Sequence, residues 1–151
     1  IGQNKLGGLI IVDGSHSADQ VKNILEKFKK YSLWIVFGLD ANRQQTDSID
    51  FLHNYGFTII TDDNPRRKNP EEIRKILLEK NPGSIEIANR LHAIKYAINN
   101  VPKDNILLIL GKSSEPGFSY IYYDSHDTYY DESLIVKILL NQHKNNKSCY
   151  D

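Results

Sequence analysis

The sequence predicts an α/β domain, an open and mostly parallel Rossmann-like sheet with helices on both faces. Three observations carry that prediction. Short apolar runs rich in Ile, Val and Leu recur along the 151 residues. Stretches of helical period separate them. Polar, turn-forming residues follow the carboxyl end of the strongest runs.

Taken in order, GLIIVD (8–13) reads as a buried strand, and ADQVKNILEKFKKY (18–31) as a helix with Val21, Leu25 and Phe28 on one face. LWIVF (33–37) is a second strand, DSIDFLHNY (47–55) a short helix and FTIIT (57–61) a third strand. Asn69 offers an N-cap, with Pro70 at the first helical position and Glu72 three residues beyond the cap, which starts the helix PEEIRKILLEK. SIEIA (84–88) is a short strand, and NRLHAIKYAINNV (89–101) places Leu91, Ile94, Ile98 and Val101 at helical spacing. ILLIL (106–110) is the clearest buried strand, FSYIYYD (118–124) alternates like an edge strand, and DESLIVKILLNQH forms a closing helix. Residues 1–151 are expected to form a single domain, with 144–151 a frayed polar tail.

Composition narrows the function classes. With 19 basic and 19 acidic residues the formal charge is zero, so no global field recruits nucleic acid or an anionic membrane. The single cysteine, Cys149, excludes an intramolecular disulfide framework and a Cys-rich zinc site, and a cytoplasmic location is expected. No apolar run reaches the ~20 residues of a membrane helix. The chain contains no methionine and enters its first strong strand at Leu9, which reads as a piece of a longer protein.

Ligands of a parallel sheet bind at the carboxyl ends of its strands. Four strand exits here carry unusual residues: DGSH (13–16), FGLDANR (37–43), TDDNPR (61–66) and GKSSE (111–115). Parallel strands would bring all four to one edge. Each also has a plainer reading. Asp13 and Ser17 suit the cap of the first helix. Asp63-Asn64-Pro65 is a turn signal in its own right. Lys112 and Glu115 could form a surface pair, and His16, Arg43, Arg67 and Lys68 could be solvated. A phosphate-binding P-loop is excluded, because it needs glycine five residues before Gly111, where Ile106 stands.

Taken together, the loops resemble the C-terminal domain of the Mur ligases, ATP-dependent amide ligases of peptidoglycan synthesis, and most closely the MurE type. IIVDGSHSADQVKNIL resembles the family's VDYAHTPDSL stretch, keeping Asp13 and His16. WIVFGLDANR resembles its VFGCGGDRD loop, keeping Gly38 and Arg43, and NRLHAIKYAI resembles its DRxxAI helix. LILGKSSE resembles LIAGKGHE, keeping Gly111, Lys112 and Glu115, with Ser113 and Ser114 replacing Gly-His. TDDNPR matches unchanged, and in this family Asp-Asn-Pro-Arg goes with meso-diaminopimelate as the added amino acid.

The resemblance implies a specific chemistry. ATP phosphorylates a carboxyl group of a UDP-linked muramoyl dipeptide, and the amine presented by the C-terminal domain attacks it. Arg43 and Arg66 are then the expected carboxylate clamps. Asp63, Asn64, Gly111 and Glu115 complete the diaminopimelate site, with acids and the amide oxygen facing ammonium groups. Both signs of charge would share one loop because the ligand is a zwitterion. Asp13 and His16 are expected beside the nucleotide. ATP and Mg²⁺ are expected to be held mainly by a central domain upstream, the partner domains lying in the same chain, so the isolated stretch is expected to be inactive. No residue here is assigned as catalytic or as a metal ligand. Two other readings stand beside this one: a diverged, non-catalytic Mur-like binding module, and a receiver-like phosphoacceptor domain using Asp13, Asp62 or Asp63, and Lys112.

Overall fold

The computed structural model describes residues 2–42, 48–112, 118–120 and 128–145. Its main sheet has six strands: β1 (Gly2–Gln3), β2 (Leu9–Val12), β3 (Ser32–Phe37), β4 (Gly56–Ile60), β5 (Ile85–Glu86) and β6 (Asn105–Leu110), in spatial order β1-β2-β6-β3-β4-β5. β1 runs antiparallel to β2, and every other pair is parallel. The helices are α1 (Ala18–Phe28), α2 (Pro70–Lys80), α3 (Arg90–Asn100) and α4 (Glu132–Asn145).

The pleat divides the core in two. Ile35 and Phe37 of β3 and Leu108 and Leu110 of β6 pack with Val21 and Leu25 of α1 and with Ile73 and Leu77 of α2. Val36, Ile59, Leu107 and Ile109 point the other way, onto Ala93, Ile94, Ala97 and Ile98 of α3 and Val136 and Leu140 of α4. The chain steps outward from β2 to β5 and then returns through α3 to place β6 between β2 and β3. Under a single crossover hand, outward and returning connections cover opposite faces. The expected helix-covered sheet is therefore present.

Caps explain the helix starts. Ser17 and Gln20 form a reciprocal capping box at α1. Asn69 accepts from the backbone N–H of Glu71, with Pro70 opening α2. Asn89 caps α3 by accepting from His92.

Four expectations need correction. Residues 47–55 do not form an extended helix: only a 3₁₀ turn, Leu52–Asn54, is present, and residue 47 lies outside the described residues. The buried Asn81 side chain satisfies that segment from outside, accepting from Leu52 N at 2.9 Å and donating to Ile49 O at 2.8 Å. Phe118–Tyr120 (β7) is not an edge of the main sheet but pairs antiparallel with Thr128–Tyr130 (β8), a β-prone neighbour that supplies a local partner. Residues 121–127 lie outside the described residues. Leu91 is exposed, because α3 turns its Arg90, Ala93, Ile94, Ala97 and Ile98 face inward. α4 continues to Asn145, so the first two residues of the expected tail are helical, and 146–151 lie outside the described residues.

Arg90 is the unusual member of that inward face, buried at 1% exposure. Its Nε donates to Glu132 Oε2 at 2.6 Å and its Nη2 to Glu132 Oε1 at 2.9 Å. Nη2 also donates to Leu110 O at 2.8 Å, and Nη1 to Asp62 O at 3.3 Å. One guanidinium thus joins the starts of α3 and α4 to the exits of β4 and β6. Removing one partner of a buried pair strands the other charge, so Arg90→Met should lower stability by about 3–5 kcal/mol in urea unfolding. Adding Glu132→Leu should recover only part of that loss, since the Leu110 and Asp62 carbonyls each still lack a donor worth about 1–3 kcal/mol. A double variant as stable as the parent would show that the carbonyl contacts contribute nothing.

Candidate functional site

Strand register sets the site. Val12 pairs with Ile109, and Phe37 pairs with both Leu110 and Ile60, so the exits at Asp13, Gly111, Gly38 and Thr61 lie side by side at the carboxyl edge. Backbone contacts lace them together. Gly111 N donates to Ser15 O at 2.8 Å, and Ala41 N donates to Asn64 O at 3.0 Å. Gly38 and Gly111 permit this closeness. A Cβ on Gly38 would lie 2.7 Å from the Asp62 carbonyl, and one on Gly111, whose φ is +101°, would lie 2.4 Å from Gly38 O.

The two acids of the TDDNPR turn face different cations. Asp62 pairs with Arg74 of α2, whose Nε also donates to Glu86 at 2.6 Å. Burial pushes the Asp62 carboxyl above its usual range, and the Arg74 contact opposes that rise. Asp63 and Asn64 are turned inward and buried. There Lys112 Nζ donates to Asn64 Oδ1 at 3.1 Å and reaches Asp63 Oδ1 at 3.5 Å. Desolvation pushes Asp63 up and Lys112 down, both towards the neutral forms, while their mutual attraction and the nearby Arg90 temper the rise at Asp63. Lys112 is 1% exposed, so it is not half of a surface pair.

Arg66 lies on the outer side of the same turn. Its φ is +45° and that of Arg67 is +69°, two successive left-handed residues without a glycine. The turn is closed by Lys68 N donating to Pro65 O at 2.7 Å, and Lys68 Nζ reaches Ala41 O at 3.2 Å. Arg66 Nε donates to both carboxylate oxygens of Asp40, at 3.0 and 2.9 Å.

At the β2 exit, Asp13 does not cap α1, a task left to Ser17. Asp13 Oδ1 instead accepts from Ser15 N at 2.8 Å and from the Ser15 hydroxyl. His16 Nδ1 donates to Gly14 O at 2.8 Å, which leaves Nε2 as the acceptor nitrogen of the neutral ring. The structure therefore gathers Asp13, His16, Asp63, Asn64, Arg66 and Gly111 along one edge. Arg43 and Glu115 lie outside the described residues, as do Ser113 and Ser114.

Arg90, Asp40, Arg74 and the inward course of Lys112 escaped the reading of the sequence. Only Arg90 left a signal: a cation in the first turn opposes the helix dipole and calls for another partner. Among the described residues no group of three or more His, Cys, Asp or Glu side chains could hold a metal ion, and no helix is long and apolar enough to cross a membrane. A groove of about 430 Å³ at the amino edge, lined by Leu9, Phe28, Tyr31 and Ile106 among others, contains none of the candidate site residues.

Known proteins resemble the chain closely enough to place it. It is 33% identical over 146 residues to a Buchnera aphidicola UDP-N-acetylmuramoyl-L-alanyl-D-glutamate–2,6-diaminopimelate ligase, covering 88% of this chain and 28% of that protein. The Rickettsia felis protein of the same name is 36% identical over 146 residues, covering 87% of this chain and 26% of its own length. The chain thus spans under a third of these relatives. A solved structure of a ligase of that name superposes with a TM-score of 0.74 at 24% identity, covering 89% of this chain and 29% of that one, which establishes the shared fold. The sequence profile described as "Mur ligase, glutamate ligase domain" matches residues 1–113, and the chain belongs to that family.

Proposed function

We propose that this chain is the C-terminal, amino-acid-presenting domain of an ATP-dependent ligase that adds meso-diaminopimelate to UDP-N-acetylmuramoyl-L-alanyl-D-glutamate. The observation that carries the reading is the outward placement of Arg66 by the unaltered Asp-Asn-Pro-Arg turn. Two relatives bear the name of a 2,6-diaminopimelate ligase, which supports this substrate over other amino acids.

The chain's own part is binding and orientation. Diaminopimelate has a carboxylate and an ammonium at each end, and a guanidinium matches a carboxylate through paired, charge-assisted bonds. Arg66 takes the distal carboxylate, and Arg43 and Glu115 serve as further carboxylate and ammonium partners. Asp63 and Asn64 offer their remaining acceptor positions while sharing Lys112, and Gly111, packed against the Gly38 carbonyl, brings the β6 exit beside them. Holding the amine at one place relative to an activated carboxyl replaces an encounter in solution with a local reaction. ATP supplies the activation of that carboxyl. Asp13 and the Nε2 face of His16 suit contacts to the nucleotide, whose phosphates are held, with Mg²⁺, mainly by an upstream domain of the same chain. A cytoplasmic setting follows from such soluble substrates.

Selectivity tests the reading. L-Lysine lacks only the distal carboxylate, so the contact to Arg66 is the difference between the two amino acids. A bidentate, charge-assisted contact contributes roughly 2–4 kcal/mol, about thirty- to several-hundred-fold in preference. In the full-length protein Arg66→Ala should collapse the preference for diaminopimelate over lysine in an amide-formation assay, and Arg66→Lys should restore little. Equal use of both amino acids by the parent, or discrimination kept by Arg66→Ala, would refute the assignment. The isolated domain should also give no tight binding in calorimetric titration with Mg-ATP, because it contributes no phosphate-cradling loop. A micromolar dissociation constant would contradict that division of the site.

A further inference from the structure

Asp40 lies at the β3 exit, at a position where the resembling family stretch VFGCGGDRD has glycine. Its contacts are specific. Both carboxylate oxygens accept from Arg66 Nε, and Oδ1 also accepts from the backbone N–H of Asn42 at 2.8 Å. The Asp40 side chain is 13% exposed and that of Arg66 is 38% exposed. With the Arg66 side chain this open to solvent, the pair contributes little to stability. Its consequence is orientational.

The backbone of Arg66 is already aimed by the left-handed turn at Arg66 and Arg67. Strained turns of this kind persist where the surroundings over-determine them. Here Asn64 O is tied to Ala41 N and Lys68 Nζ to Ala41 O, so the Asp40-Ala41 segment holds the turn at both ends. What the turn leaves undetermined is the long side chain, with its many rotamers. Asp40 removes that freedom by fixing Nε. Among the described residues, the two Nη groups of Arg66 make no hydrogen bond.

We infer that Asp40 is a positioning residue that holds Arg66 by its Nε, so that Arg66 meets the ligand's distal carboxylate end-on, through its paired Nη groups. The inference rests on the diaminopimelate reading of the site. A guanidinium can grip a carboxylate by its Nε–Nη edge or by its Nη–Nη edge, and occupation of Nε selects the second. The same contact confines the fork before the ligand arrives, which lowers the ordering cost of binding.

The test is steady-state kinetics of the full-length protein with meso-diaminopimelate and L-lysine. Asp40→Ala should raise KM for diaminopimelate about tenfold, and KM for lysine by less than about twofold, with the loss in KM rather than kcat. Asp40→Asn keeps an oxygen acceptor for Nε and for Asn42, and should stay within about threefold of the parent. In an Arg66→Ala background, Asp40→Ala should add nothing, because the group it positions is gone. An unchanged or lowered KM for diaminopimelate in Asp40→Ala, an equal rise for lysine, or effects that add to those of Arg66→Ala would each overturn the inference. If Arg66→Ala itself leaves KM for diaminopimelate unchanged, the reading of the site fails first, whatever Asp40 does.

Discussion

Arg90 joins chain segments that only the finished fold brings together. Its guanidinium spans from the start of α3 to Glu132 at the start of α4, and from there to the carbonyls that end β4 and β6. A charge so deeply buried is tolerable only when most of its donors are engaged, because the desolvation cost is large and falls on any incomplete arrangement. The strand exits are therefore not free to drift relative to one another. Asp62 O fixes the beginning of the TDDNPR turn, and Leu110 O fixes the residue before Gly111. Lys112 then repeats the connection two residues further on, reaching Asn64 from the β6 side.

That frame separates the polar groups by the direction they face. Asp63, Asn64 and Lys112 face inward and hold the turn to its neighbour. Arg66 and Asp40 face outward, where their pairing adds little to stability and much to orientation. The left-handed backbone at Arg66 and Arg67 is the point at which the two sets divide. Such conformations tend to collect where function over-determines a loop, and this one sits at the edge where parallel sheets place their ligands.

Much of this was legible in the sequence, because the fold depends on local rules. Apolar strands, Asn and Ser caps and polar exits sufficed to place α1 to α4 and the parallel strands. The convergence of Asp13, Asp63, Arg66 and Gly111 followed from topology alone. What escaped depends on contacts distant in sequence. Asn81 replaces a helix around Leu52 by bonding across 29 residues, and Arg90 finds Glu132 across 42. β1 has two residues, too few to show a period. Asp40 looked like any loop acid, since nothing in FGLDANR reveals that a later turn will deliver Arg66 to it.

Arginine side-chain NMR gives the most direct test of the central claim, that the carboxyl-edge loops form a preorganised site for the distal carboxylate of diaminopimelate. The full-length protein, labelled at its guanidinium nitrogens, would be titrated with meso-diaminopimelate and, separately, with L-lysine. The Arg66 resonances should shift and sharpen with diaminopimelate and scarcely respond to lysine, while the buried Arg90 stays fixed in both titrations. Arg66 resonances indifferent to diaminopimelate, with perturbations gathered instead at the amino-edge groove around Phe28 and Tyr31, would contradict it.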